Sequence, residues 1–195
     1  KTTLLPYIHA ILPPNYPRFV DVFGGSGTVF LSRNPNPGDF EVYNDFDGDL
    51  VNLFRCMKKR TVALIRELGF LSLNSRDDFN VLKKFIAQEK FDDDFLKEEL
   101  DLTKVILPEI KAEELSEIML TRAKQYDVRR AANYLKLIRY SYSSGLKSFA
   151  SQPYDIRKLF SLILQMQERL ADVVVENNDF ETLIKHYDRP NTVFY

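Results

Sequence analysis

Short apolar runs broken by glycine and proline open and close this chain. Its middle third instead shows the three- and four-residue spacing of amphipathic helices. Leu4–Leu12 reads as a short helix ended by Pro13-Pro14. Phe19, Val20 and Val22 then predict a buried parallel strand over 19–23, with Asp21 set inside it at a cost unless paired. A helix is expected from about Thr28, a strand over 41–45 where EVYNDFD alternates, and a helix near 49–58 carrying Leu50, Leu53, Phe54 and Met57. Helical spacing recurs over 61–70 (Val62, Leu64, Ile65, Leu68), 75–90 (Phe79, Leu82, Phe85, Ile86), 113–125 and 129–140, so residues 60–140 read as mostly helical. SYSSGLKSFASQPYD suits a hairpin or loop. Residues 155–170 form an amphipathic helix, Val173–Val175 a buried strand, and Thr192–Tyr195 begins another. Strands at both ends and helices between imply an α/β protein with a helical insertion, without internal repeat, low-complexity segment or flexible linker.

The candidate chemistry sits where the first strand ends. Gly24, Gly25 and Gly27 follow it at once, three of the seven glycines in the chain, and residues without a Cβ let backbone turn sharply and approach a ligand. Phe23, Gly24, Gly25, Ser26 and Gly27 therefore form a candidate cofactor loop at the carboxyl end of a first strand. A dinucleotide fingerprint would need a third glycine where Phe30 stands. The acid at Asp21 suits a cationic ligand better than a pyrophosphate, which points to S-adenosylmethionine; an ordinary tight turn is the plain alternative. Asn44-Asp45 ends the second strand, and Asp45 lies 18 residues after Gly27, near the ~20-residue offset of an acid that grips ribose hydroxyls. The same residues also read as a polar turn capping the helix that begins near Asp49. Glu176-Asn177-Asn178-Asp179-Phe180 ends the third strand in another polar turn, with Asn178 or Asp179 placed to cap a helix through Leu183-Ile184.

Charge changes the picture by its distribution. The net value is −1, yet Arg129, Arg130, Lys136, Arg139, Lys147, Arg157 and Lys158 face one acid, Asp155, between 129 and 158. Acids dominate residues 89–117. A local cationic segment is what phosphate contacts require, although a solvated helix face would look the same. The single cysteine, Cys56, lies in an apolar helix pattern and excludes an internal disulfide. His9 and His186 stand apart from other ligand types, so no metal is expected. At 195 residues and 45% hydrophobic content a real core is possible. No apolar stretch approaches the ~18 residues of a membrane span, and the cytoplasm is the expected compartment.

Three runs together carry a resemblance: Lys1-x-x-Leu4-Leu5-Pro6-x-Ile8, FVDVFGGSGTVFL and VYNDFDGDLVNLFR. With RRAANYLKLIRYSYSSGLKSFA and RLADVVVENNDFETLIKHYDRPNTVFY, the chain resembles the Dam-like (D12 class) DNA adenine methyltransferases, phage and prophage members especially. Residues 60–128 resemble them least. The resemblance implies a Rossmann-like S-adenosylmethionine-dependent methyltransferase sheet with a mostly helical inserted target-recognition region. It implies division into 1–59 and 155–195 for the cofactor-binding part and 60–154 for the insertion. By the same resemblance Lys1 approaches the cofactor, Asp21, Asn44 and Asp45 join the glycine loop around it, and Asp179 and Phe180 border its adenine. Arg130, Arg139, Ser143 and Lys147 face double-stranded DNA, with a reading tip over Arg139–Phe149 where Tyr140, Tyr142 and Phe149 either stack on bases or pack the hairpin. The implied reaction moves a methyl group to the N6 amine of adenine, in an enzyme expected to be monomeric.

Two departures stand out. Lys147 replaces an arginine and Ser143 an asparagine common in the family, which leaves a GATC target a guess. The catalytic D-P-P-Y motif, expected directly after Asn191-Thr192-Val193-Phe194-Tyr195, occurs nowhere in the sequence. An incomplete enzyme is the first expectation and a catalytically silent module binding the same two ligands is the second. A nicotinamide-dependent oxidoreductase is the third.

Overall fold

The structure is a computed structural model, and it describes residues 2–69, 75–87, 94–123, 126–142, 146–150 and 155–195. The chain divides into two compact units, one of residues 1–51 and 168–195 and the other of residues 52–167.

The first unit is built on a four-stranded parallel sheet in the order β3-β2-β1-β4, made of β1 (Arg18–Asp21), β2 (Phe40–Asn44), β3 (Val174–Glu176) and β4 (Thr192–Phe194). In register, Val20 lies beside Val42 on one side and Phe194 on the other. One face buries Val20, Val22, Val42 and Leu183, with Phe40, Val174, Tyr187 and Phe194 packed around them. Leu183 comes from α10 (Phe180–Tyr187), which follows β3. The strand read from the sequence as 19–23 starts and ends earlier, because Val22 and Phe23 already turn. The strand expected over Val173–Val175 forms as Val174–Glu176 and is not fully buried as those valines suggest. It is the sheet edge and half-buried, although Val173 before it is sealed.

The opposite face holds Phe19, Glu41 and Tyr43, each fully or nearly fully buried. A carboxylate there is tolerable only because two guanidinium groups reach it. Arg33 pairs with Glu41, and Arg169 grips both carboxylate oxygens at 2.6 and 2.9 Å while also donating to Phe30 O. Arg33 stacks on Phe19 at 4.2 Å from the ring centre and Arg169 on Phe30 at 4.3 Å, so apolar neighbours cover the flat faces of both cations.

The remaining helices are α1 (Leu5–Ile11), α2 (Thr28–Leu31), α3 (Gly48–Lys59), α4 (Thr61–Leu68), α5 (Arg76–Ile86), α6 (Asp94–Ile106), α7 (Glu109–Ala123), α8 (Val128–Tyr140) and α9 (Lys158–Arg169). In the second unit α4 and α5 pack on α8, and α6 packs on α7. Buried Asn52 fixes the entry to α8, donating to Asp127 O at 2.8 Å and accepting from Asp127 N at 2.9 Å. The Asp127 side chain then caps the helix through Arg130 N. Cys56 is buried, as its apolar setting predicts.

Candidate functional site

In a parallel sheet every strand delivers its carboxyl end to the same rim, and ligands collect there. The loop after β1, the turn after β2 and the turn after β3 meet on that rim, and β4 ends beside β1, where Tyr195 N donates to Val20 O and Val22 N to Tyr195 O. Gly25 and Gly27 adopt positive φ, at 52° and 68°, which accounts for two of the three glycines. Gly24 answers to space instead. A Cβ there would lie 2.3 Å from Cε2 of Tyr43.

Asp45 organises the loop. Its Oδ2 accepts from Gly25 N at 2.8 Å and its Oδ1 from Asp47 N at 2.8 Å. The Tyr43 hydroxyl donates to Gly25 O at 2.6 Å, so β2 and the turn after it hold Gly25 by both its carbonyl and its backbone N–H. Asp47 caps α3 through Asp49 N and Leu50 N. The turn therefore both carries the acid and starts the helix, the two roles the sequence left open.

Asn44, expected at the cofactor, is 1% exposed. Its amide donates to Val22 O (2.8 Å) and Asn178 O (3.1 Å), and its oxygen accepts from Asn178 N (2.9 Å). It ties three strand ends together beneath the rim and does not reach into it. Asp21 is likewise sealed within the sheet, at 1% exposure. Asn177, given no role by the sequence, donates to Asp45 O at 2.8 Å and Phe46 O at 3.2 Å. Its partners lie far away in the chain, so only the fold reveals it.

Asp179 is the N-cap of α10, accepting from Thr182 N at 3.0 Å and from the Thr182 hydroxyl at 2.6 Å. The hydroxyl first, and the backbone N–H second, hold its carboxyl below the ordinary aspartate range. Phe180 follows it, half exposed, with its ring 6.1 Å from that of exposed Phe23. Two water-facing aromatics side by side make an apolar ledge on an otherwise polar rim. Lys1 lies outside the described residues.

In the second unit, Arg139 and Lys147 are exposed, as DNA contacts must be. Arg130 is not. It is 7% exposed and its guanidinium donates to Ile86 O at 2.6 Å, so α8 uses it to hold the end of α5. A cation consumed in that way is removed from the DNA-facing set. The segment after α8 folds back as a hairpin would, with Tyr142 N donating to Ser148 O, Ala150 N to Tyr140 O, and an antiparallel bridge between Ser141 and Phe149. Tyr140 is buried and Phe149 packs on Phe79 at 5.7 Å, so both serve the packing. Tyr142 is 73% exposed. Ser143 lies outside the described residues.

Residues 1–195 match the family model for D12 class N6 adenine-specific DNA methyltransferases. A 68-residue stretch, 35% of the chain, is 37% identical to the Type II methyltransferase M1.LlaDCHI of Lactococcus lactis subsp. cremoris. The match spans 23% of that protein's length. With a mixed α/β fold, a glycine loop on a parallel sheet and a family match over its whole length, the chain belongs to the D12 class N6 adenine-specific DNA methyltransferases.

Proposed function

We propose that the chain holds S-adenosylmethionine on the rim of its sheet and engages double-stranded DNA through its second unit, as working parts of a cytoplasmic, site-specific adenine-N6 methyltransferase. One observation carries the reading. The glycine loop, Asp45 and the Phe23–Phe180 ledge converge at the carboxyl ends of parallel strands in a chain matched from end to end by that family.

The residues suit the ligand. Each Asp45 oxygen already accepts one backbone N–H, and each keeps a second lone pair for a ribose hydroxyl. Phe23 and Phe180 offer adenine an apolar surface that stacking would take out of water. Asp179 remains next to that ledge and keeps its charge through its bonds to Thr182. Gly24, Gly25, Ser26 and Gly27 leave backbone approachable for the methionine part, and Lys1 belongs near it by resemblance. When bound, S-adenosylmethionine supplies an electrophilic methyl group and its sulfur keeps the electron pair of the broken bond. Arg139, Ser143 and Lys147 take the DNA side. The target adenine must leave the duplex stack, at a cost of a few kcal/mol.

Calorimetry with S-adenosylhomocysteine and with NAD tests the cofactor. Binding of the former alone is expected, and Asp45→Ala should weaken it by ~1.5–3 kcal/mol, the scale of charge-assisted hydrogen bonds. Binding of NAD without S-adenosylhomocysteine would replace this reading by the oxidoreductase. The competing reading is a module that binds both ligands and transfers nothing. Methyl transfer to duplex DNA by the natural gene product separates module from enzyme.

A further inference from the structure

The DNA reading of the second unit rests on cations of residues 129–158, and the structure moves one of them, Arg130, inside. It also brings others alongside. The α5 helix packs on α8 and on the segment that follows it, through a shared cluster of Phe79, Leu137 and Tyr140 with Leu82, Ile86, Leu146 and Phe149 around them. That cluster fixes the helix rotation. With Phe79 inward, Arg76, Asn80, Lys83 and Lys84 share one exposed face, within an arc of ~100° at 3.6 residues per turn. Asp77 borders this face and Asp78 lies away from it. The face abuts residues 146–150: the Lys83 ammonium donates to Lys147 O at 3.4 Å, and the Arg76 guanidinium sits 6.0 Å from the centre of the Phe149 ring. Among the described residues, Arg76, Lys83 and Lys147 form no ion pair with an acid.

We propose that α5 is part of the DNA-docking surface, with Arg76 and Lys83 joining Lys147 in one phosphate-binding track. Three cations from two elements, held side by side by a common apolar cluster, repel one another in the isolated protein. A polyanion relieves that repulsion, and duplex phosphates recur at the spacing of neighbouring side chains. The contacts go to backbone phosphate, so they strengthen binding to every sequence and choose among none. This inference rests on the DNA-binding reading above, and it adds an element that the sequence, with α5 some fifty residues before the basic segment, does not suggest.

The test measures binding of the chain to a labelled duplex by fluorescence anisotropy across a salt series. Arg76→Gln/Lys83→Gln is compared with Arg66→Gln/Lys185→Gln, which removes the same charge from exposed sites elsewhere. The first variant should flatten the slope of log K against log salt by ~1.8, about 0.9 for each phosphate released, and weaken binding several-fold on unrelated duplexes. The control should keep the wild-type slope. Melting temperatures monitor folding, and Lys83→Gln alone, with half the slope change, serves if the double variant melts early. An unchanged slope, or equal changes in both variants, overturns the track. Polyglutamate binding the wild type as tightly as duplex, and losing the same affinity in the variant, would give the surface to an acidic protein and also overturn it. A wild type that binds S-adenosylhomocysteine but no duplex removes the DNA reading with it, whereas one that binds neither fails the proposed function itself.

Discussion

Asp45 accepts one backbone N–H on each of its carboxylate oxygens, from the glycine loop and from its own turn, so its place is set before any ligand arrives. Asn177 secures that place from the next strand by holding the Asp45 and Phe46 carbonyls. Its amide thus acts on a ligand through Asp45, as a positioning residue, and a double-mutant cycle exposes that dependence. Asn177→Ala should weaken S-adenosylhomocysteine binding by about 1 kcal/mol, the net worth of an ordinary hydrogen bond. The same change made on top of Asp45→Ala should cost nothing further. Calorimetry on the four proteins reads the cycle, and additive losses would return Asn177 to a purely local role in the turn.

The elements divide into those whose signal is local and those whose signal is not. Each of β1, β2 and α3, α4, α5, α8 and α9 lies within a few residues of its expected place, because strand alternation and helical spacing are carried by neighbours. Glycine positions were legible for the same reason: Gly25 and Gly27 need a backbone shape that few other residues adopt. The half-buried state of β3 was not legible. Three valines look the same on an edge strand and in mid-sheet, and strand order is decided by pairing with β2, about 130 residues earlier. Arg130 misleads in a related way, since only the arrival of α5 turns its guanidinium inward. The start of α10 was readable and can be tested. Its cap, Asp179, has a carboxyl held below the ordinary range by Thr182. A depressed folded-state value means that the cap's contribution is fully present above the unfolded value, ~3.9, and is lost as pH falls through the folded one. Asp179→Ala should therefore melt below the wild type at pH 7, and the two melting curves should draw together as the pH is taken into the acid range. A gap that stays constant down to pH 2 would show that the charge of the cap contributes nothing.

At the scale of the molecule, residues 168–195 must return to complete a sheet begun by residues 18–44, and the Arg33–Glu41–Arg169 cluster joins these segments under it. Glu41 is sealed in mid-strand, and its two oxygens serve guanidinium groups from both ends of the sequence. Such a triad need not exceed a well-packed apolar core in stability, because all three charges were desolvated to form it. Breaking it is a different matter. Glu41→Gln keeps the shape and removes the charge, which leaves buried Arg33 and partly buried Arg169 facing each other across a neutral amide. The loss expected for an uncompensated buried charge is ~3–5 kcal/mol, against a total stability on the order of 5–15 kcal/mol for a protein of this kind. In urea the unfolding midpoint should fall sharply with little change in slope, since the surface exposed on unfolding stays the same. Replacing all three residues by apolar ones (Arg33→Met, Glu41→Leu, Arg169→Met) should restore much of what Glu41→Gln loses, because no stranded charge remains. A Glu41→Gln protein within 1 kcal/mol of the wild type would mean that water reaches the guanidinium groups, and that apolar contacts alone bring the two ends of the chain into one sheet.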